Sequence, residues 1–217
     1  MRIGVLGTGS VGRRIADKLL ELGHHVTMGS RSAESEALRE WLAEAGEGAG
    51  GGTFADAASA AELVFNCTAG AASVAALEAA GAPNLAGKVV IDVSNPLDFS
   101  RGMPPTLSVC NDDSLGEQIQ AAFPEARIVK ALNTVNNQVM TDPGRLPGAH
   151  DVFVCGNDAE AKASVSELLR GFGWSADQIV DIGDITAARG LEMYLPLWLR
   201  LMGTLGTPDF NIQIRVP

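Results

Sequence analysis

Positive charge is scarce in this chain. Sixteen Lys and Arg stand against 26 Asp and Glu, a formal net charge of −10 with an isoelectric point near 4.7. Nucleic acid is excluded as a partner on that ground, because its backbone needs a basic surface to displace counterions. Long apolar runs are missing as well. None approaches the ~20 residues that span a bilayer, so no membrane partner is expected, and Ile3 to Leu6 is too short for the apolar stretch of a signal peptide. Cysteine is limited to Cys67, Cys110 and Cys155, an odd number without CxxC spacing. With two of them in apolar, strand-like runs, they read as reduced thiols of a cytoplasmic protein, not as a disulfide frame or a zinc site. His24, His25 and His150 form no ligand cluster and are expected at the surface, so no metal is expected. No nucleophile, metal set or catalytic dyad stands out.

What is present is a core. A hydrophobic share of 46% over 217 residues suffices for one α/β domain. Its most informative stretch is Gly7-Thr8-Gly9-Ser10-Val11-Gly12. Arg2 to Leu6 before it reads as a buried strand, and Val11, Ile15, Leu19 and Leu22 after it recur at helical spacing up to Gly23. Strand, GxGxxG and helix in succession form the dinucleotide-binding fingerprint. Gly7 is expected to allow the tight turn, Gly9 the approach of a pyrophosphate, and Gly12 close packing of helix on strand. The helix amino terminus then offers free N–H groups and partial positive charge to phosphate. The next strand, His25 to Gly29, runs into Ser30-Arg31-Ser32, where an NAD-binding protein would carry an acid. An arginine fork with flanking hydroxyls suits a 2′-phosphate, so NADP(H) is expected over NAD(H).

Further along, Ala37 to Ala45 predicts a helix, and the glycine run 46–52 predicts a mobile connection, since no strand precedes it and no Lys-Ser/Thr follows. Thr53-Phe54 reads as a short strand, and Asp56 as the cap of an alanine-rich helix. Glu62 to Cys67 and Lys88 to Val93 are central strands whose ends, Thr68-Ala69 and Ser94-Asn95-Pro96, reach the ligand edge of an open parallel sheet. Those five residues are expected around the nicotinamide and its ribose. Asp92 reads as a structural acid. Residues 98–112 predict a loop, Ser114 to Phe123 a helix, and Arg127 to Leu132 a sixth strand ending in Asn133-Thr134-Val135-Asn136-Asn137. Carboxamides there can hydrogen-bond a flat heterocycle. Asp151 to Gly156 and Ile179 to Gly183 read as core strands, with an Asp158-capped helix between them. A final helix around Leu191, Leu195, Leu199 and Met202 is interrupted by Pro196 and apolar around much of its girth, which suggests a homodimer contact or burial. Asn211 to Val216 alternates like an edge strand. The alternation of strand and helix predicts a Rossmann-like, doubly wound, mostly parallel sheet with a small C-terminal helical and strand extension. It is read as one domain over 1–217, with an NADP-binding core at 1–150 and an extension at 151–217 that completes the sheet.

The chain resembles the NADPH-dependent oxidoreductases of the deazaflavin coenzyme F420 reductase family, related to the cytoplasmic domains of the STEAP metalloreductases. The residues that carry the likeness are Val5 to Gly9 with Gly12, Gly29-Ser30-Arg31, Lys130-Ala131-Leu132-Asn133-Thr134, Val154 to Asp158, and Asp181-Ile182-Gly183 followed by Arg189 and Glu192. The resemblance implies a Rossmann-like domain, usually dimeric, in which the glycine loop and the Ser-Arg pair hold NADPH beside a deazaflavin. One departure concerns the acceptor: deazaflavin-using members carry histidine where this chain has Asn133, and asparagine is closer to the STEAP type, which passes hydride to a flavin.

The expectation is therefore an NADP(H)-dependent oxidoreductase that moves hydride between the nicotinamide and a second flat ring, F420 or FMN/FAD. Gly7, Thr8, Gly9, Ser10, Val11, Gly12, Ser30 and Arg31 would hold the nucleotide, and Asn133, Thr134 and Thr186 would face the acceptor. Two rivals are a reductase of a small molecule or ferric chelate, for which Lys130 is the one lysine near a strand end available as proton donor, and a non-enzymatic NADPH sensor.

Overall fold

The computed structural model describes residues 1–217. In chain order it holds β1 (Arg2–Leu6), α1 (Ser10–Glu21), β2 (His25–Ser30), α2 (Glu36–Glu44), β3 (Ala49–Thr53), α3 (Phe54–Ala60), β4 (Leu63–Asn66), α4 (Gly70–Ala80), α5 (Ala82–Leu85) and β5 (Val89–Asp92). A two-stranded hairpin follows, β6 (Leu97–Asp98) with β7 (Thr106–Leu107), then α6 (Leu115–Ala122), β8 (Arg127–Ala131), α7 (Asn137–Thr141), β9 (Val152–Gly156), α8 (Ala159–Gly171), β10 (Ile179–Asp181), α9 (Ala188–Met193) and α10 (Leu195–Leu205).

Eight strands form one sheet in the order β10-β9-β8-β5-β4-β1-β2-β3. Strands β3, β2, β1, β4, β5 and β8 are mutually parallel, which is the doubly wound dinucleotide-binding order with its switch point between β1 and β4. Strand β9 runs antiparallel to β8, and β10 follows β9. The central strands are mostly apolar because both faces are covered, with Asn66, Asp92 and Lys130 the buried polar exceptions near their carboxyl ends. Ile3, Val5, Leu63, Phe65, Val89 and Ile91 enter one core with α1 and α8, while Leu6, Val64, Val90 and Ile128 enter a second core with α3, α4 and α6.

Several expectations need correction. The glycine run is not a mobile connection: Ala49–Thr53 is an edge strand parallel to β2. Helix α2 lies close over it: a Cβ on Gly51 would stand 2.9 Å from the Leu38 and Leu42 side chains, which would have to shift to admit it. Thr53 is the N-cap of α3, not a strand start, and Asp56 is the third residue of its capping box. Strand β10 is a half-exposed edge rather than core. The stretch 98–112 carries half of a small hairpin. Asn211 to Val216 forms no strand; it is tied through Asp151, whose N–H donates to the Ile212 carbonyl and whose carboxylate accepts from Ile214 N–H. His150 is buried, against expectation, hydrogen-bonded by Nε2 to the Pro143 carbonyl and by Nδ1 to Asn211, and edge-on to Trp174. Cys67 and Cys155 lie in strand surroundings, but Cys110 is exposed. No helix is long and apolar enough to cross a membrane.

Candidate active site

The carboxyl ends of β1, β2 and β4 open into a cleft of about 730 Å³. Gly7, Thr8 and Gly9, at the end of β1, lie in the middle, with Ser30, Arg31, Ser32 and Ser35 on the β2 side and Thr68 and Ala69 on the β4 side. Phe54 and the alanine face of α4, at Ala72, Ala75, Ala76 and Ala79, make a smooth apolar wall. Gly7 has φ +116°, and a Cβ there would come within 2.8 Å of the Cys67 carbonyl oxygen. A Cβ on Gly12 would overlap the Gly7 carbonyl, so only glycine lets α1 start this close beneath the loop. Gly9 is the opposite case, with nothing within 4 Å of its would-be Cβ. It is also the N-cap of α1, with no capping side chain and no acid in the first turn. The first N–H groups of α1, at Ser10, Val11 and Gly12, are thus left for a ligand, as an anion site requires.

On the β2 side, buried Ser30 closes a small turn, its Oγ donating to the Ser32 carbonyl and accepting from Ser32 N–H. That turn presents Arg31 outward at the cleft mouth, where it pairs with no carboxylate of the chain. Ser35, the N-cap of α2, likewise spends no side-chain bond on its helix. Cleft shape, uncapped helix and unpaired guanidinium fit a dinucleotide with an additional phosphate.

The neighbouring strand ends are wired differently. Thr68 Oγ1 donates to Asn66 Oδ1 at 2.6 Å, and Asn66 Nδ2 donates to Asp92 Oδ1 at 2.8 Å. The same Asp92 oxygen accepts from Ser94 Oγ at 2.7 Å and Ser94 N–H at 3.2 Å. Lys130, wholly buried, donates to Asp92 Oδ2 and the Ser94 carbonyl at 2.7 Å each and pairs with Glu192 Oε1 at 2.7 Å. Glu192 in turn accepts from Leu115 and Gly116 N–H at 2.8 and 3.0 Å, capping α6. Burial opposes the ammonium, but Asp92 and Glu192 together outweigh it and hold the Lys130 pKa above its ordinary value. Every donor of Lys130 is engaged, so it is a strut and not the proton donor that the small-molecule reductase reading needs.

Ser94, Asn95 and Pro96 do not line the cleft itself. They abut its rim, because a Cβ on Gly70 at the start of α4 would overlap the Asn95 carbonyl. Asn95 Nδ2 donates to the Asn133 carbonyl at 2.9 Å, and Asn133 Nδ2 donates to Asn95 Oδ1 at 3.0 Å. The backbone carbonyl fixes the orientation of both amides: Asn95 must turn its nitrogen toward it, which leaves its oxygen for Asn133. The remaining atom of Asn133 is then an obligate acceptor. That oxygen, and Oγ1 of Thr134, the next residue, are buried without partners, and neither residue lines the cleft. Buried polar atoms are rarely left so.

Thr186 follows β10 and does not line the cleft; its hydroxyl and N–H both donate to the carboxylate of Asp184, the cap of the short turn that holds it. Neither buried thiol offers a nucleophile. Desolvation, with the Asp92 charge second, pushes Cys67 far above the usual thiol range, and desolvation pushes Cys155 up to about 12. Sequence reasoning missed the partnership of Lys130 with Asp92, although one charge in each of two adjacent apolar strands was a signal; the two are register partners. Phe54, Ser35 and the alanine wall gave none.

Residues 2–96 match the family described as NADP oxidoreductase, coenzyme F420-dependent. A crystal structure of a protein from Arthrobacter sp. FB24, assigned as an F420-dependent NADP-reductase, is 55% identical, covers 99% of both chains and has a TM-score of 0.93. The metalloreductase STEAP3 of Rattus norvegicus is 31% identical over 205 residues, which are 91% of this chain and 38% of that protein. The F420-dependent NADP reductase of Methanocaldococcus jannaschii is 33% identical over 118 residues, 54% of this chain and 52% of that protein. The matches thus span about half or less of these two curated relatives. A reductive aminase from Aspergillus terreus, at 20% identity and TM-score 0.66, shares the fold. With the cleft in place and a full-length solved relative at this identity, the chain belongs to the F420-dependent NADP oxidoreductase family.

Proposed function

We propose that this chain is an NADP(H)-dependent oxidoreductase that passes hydride between the nicotinamide and coenzyme F420. The observation that carries the reading is the cleft with an uncapped helix terminus at its middle and the unpaired Arg31 at its β2 end. Its likeness to the Arthrobacter protein over the whole chain supports F420 as the second substrate. NADP(H), when bound, supplies or takes up the hydride. The chain's own work is placement: Gly7, Thr8, Gly9 and the first turn of α1, at Ser10, Val11 and Gly12, receive the pyrophosphate. Ser30 and Arg31 receive the 2′-phosphate, and Thr68 and Ala69 border the nicotinamide ribose, braced by Ser94, Asn95 and Pro96. Asn133 and Thr134 meet the acceptor ring, the obligate acceptor oxygen of Asn133 receiving a ring N–H and the Thr134 hydroxyl donating to a ring carbonyl. Holding two reacting rings in register lowers the barrier without an acid or base.

Mixing the protein with NADPH and, separately, F420, FMN, FAD or a ferric chelate, while following the absorbance of reduced nicotinamide, tests this. Oxidation with F420 at a rate well above the others is expected; no turnover with any acceptor overturns the reading in favour of a sensor. A flavin acceptor is the second reading, favoured by Asn133 and by the extent of the STEAP3 match. The proposal includes a homodimer through α10, which buries Leu195 but exposes Leu197 and Leu205, with Met193 exposed just before it. A monomer by light scattering at micromolar concentration would contradict that contact. The free thiols suit a cytoplasmic setting.

A further inference from the structure

Arg13 follows the glycine fingerprint directly, and its side chain crosses from α1 to α2. Nε donates to the Thr8 carbonyl at 3.1 Å, and Nη2 donates to the Ala37 carbonyl at 2.7 Å and to Glu40 at 2.9 Å. Thr8 belongs to the glycine loop at the middle of the cleft. Ala37 lies in the first turn of α2, whose N-cap Ser35 belongs to the arginine end. A planar guanidinium with a fixed fork holds its acceptors at a set separation, which a flexible ammonium does not. Drawing the Thr8 carbonyl toward Arg13 also turns the Gly9 N–H of the same trans peptide the opposite way, off the helix side. We propose that Arg13 is a positioning residue that sets the distance between the glycine loop and the arginine end of the cleft, and through it the preference for a dinucleotide bearing a phosphate at its adenosine end. The inference rests on the NADP(H) reading of the cleft.

A second tie between the same helices allows the test. Trp41 Nε1 donates to Asp17 at 2.8 Å, and Leu38 and Trp41 are buried, so α2 stays docked when Arg13 is changed. The experiment is fluorescence titration of NADPH and NADH into the full chain, with thermal melting alongside, for wild type, Arg13→Met, Arg13→Lys, Arg31→Ala and the Arg13→Met/Arg31→Ala double variant. Arg13→Met is expected to weaken NADPH about tenfold or more and NADH less than about threefold, with Arg13→Lys behaving like Met because it keeps the charge and loses the fork. In the Arg31→Ala background the effect on NADPH should shrink below about threefold, since spacing no longer matters once one end is gone. Additive losses in the double variant, full rescue by lysine, or equal losses for both nucleotides each overturn the inference. Tight wild-type NADPH binding with an unaffected Arg13→Met overturns it alone. A wild-type chain that binds neither nucleotide defeats the NADP(H) reading and the inference with it.

Discussion

Replacing Lys130 with methionine would remove one ammonium from between two buried carboxylates and leave the rest of the packing close to intact. Lys130 and Asp92 are wholly buried and Glu192 nearly so, with all three polar ends within 2.7 Å of their partners. Removing one member of such a set costs about 3–5 kcal/mol, because the partner charge stays buried without compensation. Here two charges are orphaned and the Ser94 carbonyl loses its donor, so the upper part of that range applies. For a chain of this size each kcal/mol moves the melting temperature by roughly 2–4 °C, giving a fall of about 10 °C or more. The pH dependence follows from the direction of the shift. Lys130 binds its proton more tightly folded than unfolded, so its stabilisation is complete below the ordinary lysine value of 10.5 and is lost only as pH rises through its higher folded value. The difference between wild type and variant, read by urea unfolding, should therefore be flat from about pH 7 to about pH 9 and narrow at more alkaline pH. A variant as stable as wild type at pH 7 would refute the claim that Asp92 and Glu192 depend on this ammonium. Adding Asp92→Asn and Glu192→Gln to Lys130→Met should restore part of the loss.

Gly12→Ala should abolish nucleotide binding and lower the melting temperature, since the new methyl meets the Gly7 carbonyl; a titration matching wild type would count against the loop geometry. Asn133→Ala should slow acceptor reduction about tenfold or more while leaving NADPH affinity nearly intact, and loss of NADPH affinity in equal measure would reassign the residue to the nucleotide. Cys155, buried in β9 with its pKa pushed up to about 12, should react with an alkylating agent far more slowly than exposed Cys110 at neutral pH, as mass spectrometry would show. Equal rates would mean that β9 opens readily.

Much of this was legible in the chain because it followed from periodicity or from glycine. The alternation of Ile3, Val5 and Leu6 between two cores and the GxGxxG turn are local properties, and so is the extra charge at Arg31. Strand β3 was not legible, since glycines carry no hydrophobic pattern; the strand exists because β2 supplies its bonds and α2 lies directly on its bare backbone. The tail misled in the other direction: Ile212, Ile214 and Val216 alternate, yet the segment is held by the side chain of Asp151 rather than by a ladder. The burial of His150 and the contact of Lys130 with Glu192 were unreadable for one reason. Polar side chains are buried when partners far along the sequence satisfy them, as Asn211 and Glu192 do, and no local window contains those partners.

The central property of the cleft between Gly9 and Arg31 is that it takes a dinucleotide by its phosphates. Titrating NADPH and NADH into the wild-type protein and into Arg31→Ala is the direct measurement. Wild type should bind NADPH at least about tenfold more tightly than NADH, and Arg31→Ala should erase most of that difference by weakening NADPH alone. Wild-type affinity for NADH equal to or above that for NADPH would contradict it.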